Sequence, residues 1–395
     1  MNTYIAFLFW TSVAVLWFTH IGYPVVLWIL DAAGVGSRAG HIRGNRVGAF
    51  PSLTDEEPDT DENLLPMVSL IIAAYNEEAV IEAKVKNALE LDYPRERLQV
   101  VVASDGSNDA TVELAREAGA DLVLDLPRGG KIAAQNAAAE AAEGSLLAFS
   151  DANSTWKPGA LVELLEPFRD PRVGYVCGQV RFIGPDGGNL EGAYWRYEMR
   201  VRELESELAG VTAGNGAIYA VRASEYIPLR PSGSHDLSFP FALAKKGFYS
   251  LYRPKAEAEE KVVPSLEGEL ARKRRMMIGL WDIVVGEGMT DIRGYSPAYL
   301  FEIASHRFLR YLSPAFHVVA FATNAALLGH GTVYQVTFAV QVLVLLAALL
   351  GRWIPLLPFR VCRYYVLVTA SIALGFWDRW RKGPPGRWEK AEGTR

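Results

Sequence analysis

The sequence predicts an α/β domain on a doubly wound, mostly parallel sheet, held between apolar ends long enough to cross a membrane. Two observations carry this reading. Half of the 395 residues are hydrophobic while 22% are charged, which apolar blocks flanking an ordinary soluble domain would explain. Between the blocks, short β-branched runs alternate with helical periodicities in the order of successive βαβ units.

The first block, residues 4–30, contains no Asp, Glu, Lys or Arg. It exceeds the roughly 20 residues a helix needs to cross hydrocarbon and lacks the basic leader of a cleaved signal. It therefore predicts a retained anchor over residues 1–32, in which His20, Gly22 and Pro24 point to helix packing. Residues 33–65 read as a flexible linker, first basic with Arg38, Arg43 and Arg46, then acidic in DEEPDTDEN. The basic half beside the anchor assigns that side to the cytosol. A soluble composition follows over residues 66–291.

Apolar runs return within 292–380, at residues 309–328, 333–350 and 364–377. The last is short for a crossing and is flanked by Arg360, Arg363, Trp377 and Trp380, which predicts an interfacial or partial segment before the basic tail 381–395. These features together predict a multi-pass protein of the plasma (inner) membrane, in contact with its lipids, with the central domain cytosolic. The net charge of -5 gives no support for nucleic-acid binding. Cys177 and Cys362 form neither a disulfide framework nor a zinc pattern.

In the central domain VSLIIAA, LQVVVAS, DLVLDL and SLLAFSD read as strands. Helical periodicity runs from Glu77 to about Leu91, over ATVELAREAG, and over the Ala-rich KIAAQNAAAEAAEG. In an open α/β sheet the ligand site lies beyond the carboxyl ends of the strands. There the sequence reads AAYNEE, SDGSND and SDANS, so Asp105 and Asp151 converge on one crevice while Asp109 or Asn108 caps a helix. No GxGxxG follows the first strand and no GxxxxGK[ST] occurs, which argues against a dinucleotide fold or a P-loop.

The ordered series AAYNEE, SDGSND, GGKIAAQNAA, FSDANS, GNGAIYAVR and HDLSFP resembles the family 2 inverting glycosyltransferases of GT-A (Rossmann-like) fold. The likeness extends from about Pro66 through Trp281, near the cellulose and hyaluronan synthases and related exopolysaccharide enzymes. It implies a nucleotide-diphosphate sugar donor, UDP-linked in much of the family, with Asp105 on the base. Ala74, Tyr75, Asn76 and Glu77 would form the nucleotide wall, and Lys131 would meet the diphosphate. The family's DxD motif falls on Asp151-Ala152-Asn153, so Asp151 and Asn153 are the implied ligands of Mg²⁺ or Mn²⁺, with an amide in place of the second acid. Asp236 takes the place of the general base, and His235 that of the acid preceding it. Arg272 and Arg275 align with the Gln and Arg of the synthases' QxxRW motif, and Met276 with its Trp. Gly214, Asn215, Gly216, His235 and Glu198 would face the acceptor, with Glu205 on a similar face of the same helix. The implied acceptor is a lipid-linked or other membrane-associated saccharide or lipid, for exopolysaccharide, capsule or glycolipid synthesis. A polyprenyl-phosphate sugar synthase and an inactive subunit of a secretion complex are the alternatives.

Overall fold

The computed structural model describes residues 2–35, 65–183, 192–261, 274 and 276–383. Arg272, Arg275, most of the linker and most of the basic tail lie outside the described residues. The chain divides into two compact units, one of Met1–Ile29, Ser265–Trp281 and Phe301–Pro384, the other of Leu30–Pro264, Asp282–Leu300 and Pro385–Arg395.

The chain begins with α1 (Asn2–Trp17), a π-helical turn (Phe18–Gly22) and α2 (Tyr23–Ala32). The α/β unit then runs β1 (Val68–Ala74), α3 (Ile81–Leu89), β2 (Leu98–Asp105), α4 (Thr111–Glu117), β3 (Leu122–Leu126), α5 (Lys131–Ala141) and β4 (Leu146–Asp151). It continues with β5 (Thr155–Trp156), α6 (Ala160–Leu165), β6 (Val173–Ile183), α7 (Gly192–Leu208), β7 (Ile218–Arg222), α8 (His235–Lys245) and β8 (Tyr249–Lys261).

These strands form one eight-stranded sheet in the order β3-β2-β1-β4-β7-β6-β8-β5. The first four are parallel, as the βαβ pattern predicts. Beyond β4 the sheet is mixed: β7 runs antiparallel to both β4 and β6, and β5 antiparallel to β8. Strands β1, β2 and β4 are buried on both faces, so they read as continuous apolar runs rather than alternating ones. Val68, Leu70 and Ile72 of β1 pack on one side with Val100, Val102 and Trp156, while Ile71 packs on the other with Val101, Phe149, Tyr175 and Tyr219.

Helix α3 starts later than the periodicity predicts, because Val80 and Ile81 donate their N–H groups to the Glu77 carbonyl and close a turn first. Register then sets the site. Ala73 lies opposite both Ala103 and Asp151, and Ala74 opposite Ser104. The ends of β1, β2 and β4 are therefore level, and Tyr75, Asp105 and Asp151 emerge at one edge.

The other unit holds most of the apolar helices. After α9 (Pro297–Glu302) and a π-helical turn (Ile303–Phe308) come α10 (Leu309–Ala326), α11 (Thr332–Leu350) and α12 (Leu357–Lys382). Three helices among the described residues are long and apolar enough to cross a membrane: Asn2–Ala32, Thr332–Leu350 and Leu357–Arg381. The last corrects the expectation of a short segment at 364–377. With a proline in its first turn, α12 starts at Leu357 and runs 26 residues. Arg360 and Arg363 do not interrupt it, because long basic side chains can extend from a helix end toward water. Conversely α10, which carries Arg310, Pro314, His317 and Asn324, is not among the three. His20 serves helix packing: the Tyr365 hydroxyl lies 3.2 Å from its Nε2 and 2.7 Å from the Nε2 of His317.

Candidate active site

The level strand ends border an open cleft lined by Ala73, Ala74, Tyr75, Glu77, Asp105, Lys131, Asp151, Ala152 and Asn153. Seven of these were picked out in the sequence as donor-binding or metal positions. Asn76 is the exception among its neighbours. Its backbone is left-handed at φ 53°, a conformation Asn tolerates better than most residues. Its N–H donates to Ser107 Oγ at 3.0 Å and its Oδ1 accepts from the Asn108 N–H at 2.9 Å. Asn76 thus ties the β1 loop to the β2 loop and does not line the cleft. Asp109 caps α4 as its position predicts, accepting the Thr111 N–H at 3.1 Å.

Asp105, buried at the end of β2, is held from three sides. Its Oδ1 accepts the N–H groups of Gly129 and Gly130 at 2.7 and 2.8 Å, and its Oδ2 pairs with Arg128. The approach depends on Gly106, at φ +67°, where a Cβ would lie 2.8 Å from the Arg128 nitrogen. Arg128 also lays its guanidinium 3.3 Å above the centre of the Tyr75 ring. Sequence reading missed Arg128; the two glycines after it, which let the backbone approach Asp105, were the available signal.

Lys131, the first residue of α5, reaches across the cleft and pairs with Asp151. Burial works against its ammonium, but Asp151, Asp236 and Glu260 outweigh that and hold its pKa above the ordinary value. The same lysine therefore senses both Asp151 and Asp236. Gly216 belongs to this neighbourhood too, since a Cβ there would stand 4.0 Å from Lys131 Nζ.

Asp236 lies in the first turn of α8, partly exposed, with its Oδ1 accepting from the Ser234 hydroxyl. Its carbonyl accepts the Gly214 N–H at 2.6 Å, which fastens the Gly214-Asn215-Gly216 loop to the helix. Asn215 donates through Nδ2 to the Gly178 carbonyl, and Arg202 of α7 donates to the Gly214 carbonyl at 3.1 Å. Glu198 is half-buried one turn before Arg202, on the same helical face.

Two expectations need correction. His235 is buried among Phe149, Tyr219, Tyr226 and Phe239, with Nδ1 2.6 Å from the Tyr219 hydroxyl. Burial, with help from Lys131, pushes its pKa down to about 3. An imidazole enclosed by aromatic rings packs the base of the site and does not face an acceptor. Glu205 is fully buried and accepts from the N–H and hydroxyl of Thr212, so it fixes the turn after α7. A polar residue on an amphipathic helix can face either side, and periodicity alone did not separate the two.

Asp151 and Asn153 are the oxygen donors that would hold a divalent cation. Among the described residues no group of three or more His, Cys, Asp or Glu side chains gathers to hold one. That donor set suits a hard cation that takes its remaining ligands from phosphate and water, and the ammonium of Lys131 now lies against the same carboxylate.

A mixed sheet with its first four strands parallel, and acidic residues at their carboxyl ends, makes this a Rossmann-like α/β domain with its cleft at the strand ends. Residues 69–228 match the family described as Glycosyl transferase family 2, so the chain carries a family 2 glycosyl transferase domain. It is 30% identical over 149 residues to glycosyltransferase AglE of Haloferax volcanii, covering 36% of this chain and 49% of that protein. It is 36% identical over 124 residues to a beta-monoglucosyldiacylglycerol synthase of Nostoc, covering 30% and 26%. A third relative, the poly-beta-1,6-N-acetyl-D-glucosamine synthase of Staphylococcus aureus, is 30% identical over 132 residues, covering 32% of each. The chain thus spans half the length of these curated relatives or less. The mannosyltransferase PcManGT of Pyrobaculum calidifontis, solved with GDP-Man and Mn²⁺, has the same fold over 95% of this chain and 99% of its own, with a TM-score of 0.68 at 22% identity.

Proposed function

We propose that the chain transfers a sugar, with inversion, from a nucleotide-diphosphate sugar to an acceptor at the membrane. The observation that carries this reading is the convergence of Asp105, Asp151, Asn153 and Lys131 on one cleft at the level ends of β1, β2 and β4, with Lys131 paired to Asp151. Asp236 acts on the Lys131 ammonium as well, so a cation that can follow the diphosphate also feels the charge of the carboxylate proposed as base.

The base would stack near Tyr75 and Arg128, with Asp105 holding the loop that receives it. Asp151 and Asn153 would hold Mg²⁺ or Mn²⁺, which supplies charge neutralisation for the departing diphosphate. When Lys131 moves from Asp151 to the diphosphate, its charge follows the developing negative charge, an interaction that grows toward the transition state. Asp236 accepts the proton of the acceptor hydroxyl while that oxygen bonds to the anomeric carbon. The bond from that carbon to the diphosphate oxygen breaks on the opposite face.

The acceptor side belongs to the Gly214-Asn215-Gly216 loop, with Glu198 sharing its helical face with Arg202. The apolar helices support attachment to the inner membrane with the transferase domain in the cytosol, where nucleotide sugars are made. Relatives named for a glycolipid and for a polysaccharide support a lipid or lipid-linked saccharide as acceptor. Met276, 51% exposed, stands where the processive synthases align a Trp, which favours adding one or a few sugars over a long polymer. A UDP-linked donor follows the family resemblance, whereas the structural neighbour holds GDP-Man, so both nucleotides belong in the test.

The experiment is kinetic. Asp236→Asn lowers kcat by 10²-fold or more, the range of general-base loss, while the Kd for the nucleoside diphosphate stays within about twofold of wild type. Wild-type turnover in that variant would remove Asp236 from the role.

A further inference from the structure

Helix α3 buries a lysine. Lys84 is only 3% exposed, on the same face as Ile81, Val85 and Ala88. Its Nζ has no hydrogen-bond partner among the described residues and stands 5.2 Å over the ring of Trp156. Trp156 cannot yield. Asn87, one turn further along α3, donates to its carbonyl and accepts its N–H, both at 2.9 Å. The indole N–H donates to the Ala217 carbonyl at 3.0 Å. An apolar side chain of similar length would fill this space without the desolvation cost of an unpaired ammonium.

Trp156, under the Lys84 ammonium, follows two residues after Ser154, where the turn beyond β4 ends. Burial lowers the Lys84 pKa, and the opposing charges of Asp151 and Glu260 hold it at about 7. The Asp151 carbonyl accepts the Ser154 N–H at 3.2 Å, closing a tight turn. Ser154, 1% exposed, places a second polar atom without a partner, its Oγ, on the buried side of that turn. On the open side, Asp151, Ala152 and Asn153 line the cleft and Lys131 pairs with Asp151. Because Asn153 is neutral, the turn carries one formal negative charge, with Lys131 paired to it in the cleft and Lys84 buried beside Trp156 just beyond it in the chain.

We propose that Lys84 is a positioning residue whose buried charge, together with Lys131, biases the Asp151–Ser154 turn toward the donor's diphosphate and against a bare divalent cation. Lys84 touches neither ligand. It acts through the potential at the turn, so that the cation enters with the diphosphate rather than ahead of it. This rests on the reading of the cleft as a nucleotide-diphosphate site.

The test uses the full chain in detergent, with Lys84→Met as the variant of similar length and Lys84→Gln as a neutral polar alternative should the first fail to fold. Binding of UDP and GDP without metal, binding of Mn²⁺ alone, and Tm are measured for each. The expected result is opposite movement. Diphosphate binds about tenfold more weakly, Mn²⁺ binds severalfold more tightly, and Tm stays level or rises because a buried charge has gone. A merely structural lysine would lower Tm and weaken both ligands together. That result, or unchanged affinity for both, overturns the proposal while leaving the cleft reading intact. Wild-type protein that binds neither UDP nor GDP overturns the cleft reading and this proposal with it.

Discussion

Gly214→Ala is the sharpest perturbation of the acceptor side. A Cβ at this position would lie 1.9 Å from the Tyr175 hydroxyl oxygen and 2.8 Å from its Cζ. Tyr175 is fully buried, stacked on Tyr219 at 5.7 Å and tilted against Phe239 at 6.5 Å, so its ring has nowhere to retreat. Carbon–oxygen contacts under about 3 Å are not tolerated, so the loop must move by at least about 1 Å. The hydrogen bond from Gly214 to the Asp236 carbonyl moves with it. Overpacking of this kind costs about 1–3 kcal/mol of stability, and a 1 Å misplacement of reacting groups can cost roughly 10²-fold in rate. The assay is incorporation of labelled sugar from nucleotide sugar into the lipid extract of vesicles bearing the full chain. The expected result is a fall in kcat of about 100-fold with the donor's KM within about threefold, because Gly214 does not line the cleft. Adding Tyr175→Phe removes the 1.9 Å contact and restores part of the rate. Wild-type kcat in Gly214→Ala, or loss of donor binding in step with rate, would refute the assignment of this loop to the acceptor side.

Asp105→Asn replaces the carboxylate that holds Arg128, Gly129 and Gly130. Charged hydrogen bonds are worth about 1.5–3 kcal/mol, so calorimetry on UDP or GDP should show binding weakened at least tenfold. Chelation should abolish transfer, and Asn153→Asp should lower the metal concentration needed for half-maximal rate; full activity in chelator would contradict both. His235 contributes a pH dependence whose sign is fixed. Its folded pKa of about 3 lies below that of the unfolded chain, so the unfolded state binds the extra proton between the two values. The stability gained from the neutral ring is complete above about pH 6.5 and is lost as pH falls toward 3, at about 1.4 kcal/mol per unit. His235→Phe should flatten this slope in thermal unfolding of the full chain, and an unchanged slope would assign the acid sensitivity elsewhere.

The strand ends were legible because both the sheet and the site obey local rules. Four short apolar runs marked four parallel strands, and the ends of three of them and the residues just beyond supplied Tyr75, Glu77, Asp105, Asp151 and Asn153 for the cleft. Features made by long-range return of the chain were not legible. Strand β7 reads as an ordinary short apolar run, and only its pairing with β4 and β6 reveals an antiparallel insertion. His235 was misread for the same reason, since its aromatic enclosure comes from β4, β7 and the segment beyond it. Arg128 and Lys84 carried no periodic signal, because Asp105 lies 23 residues from Arg128 and the Trp156 ring reaches Lys84 only through the later strand β5. The length of α12 is hidden in the sequence because its first turns carry arginines, so no charge-free run spans the helix.

The central claim is that the cleft binds a nucleotide-diphosphate sugar and that Asp236, as the base, activates a membrane acceptor to take the sugar. Its most direct test is mass spectrometry of the lipid and polymer fractions after purified full chain, in vesicles of the host's total lipid extract, is incubated with a panel of UDP- and GDP-sugars. The account predicts one consumed donor, release of its nucleoside diphosphate, and a membrane-fraction product heavier by one or a few sugar residues that is absent with Asp236→Asn. No donor consumed across the panel, or the same product formed equally by Asp236→Asn, would contradict it.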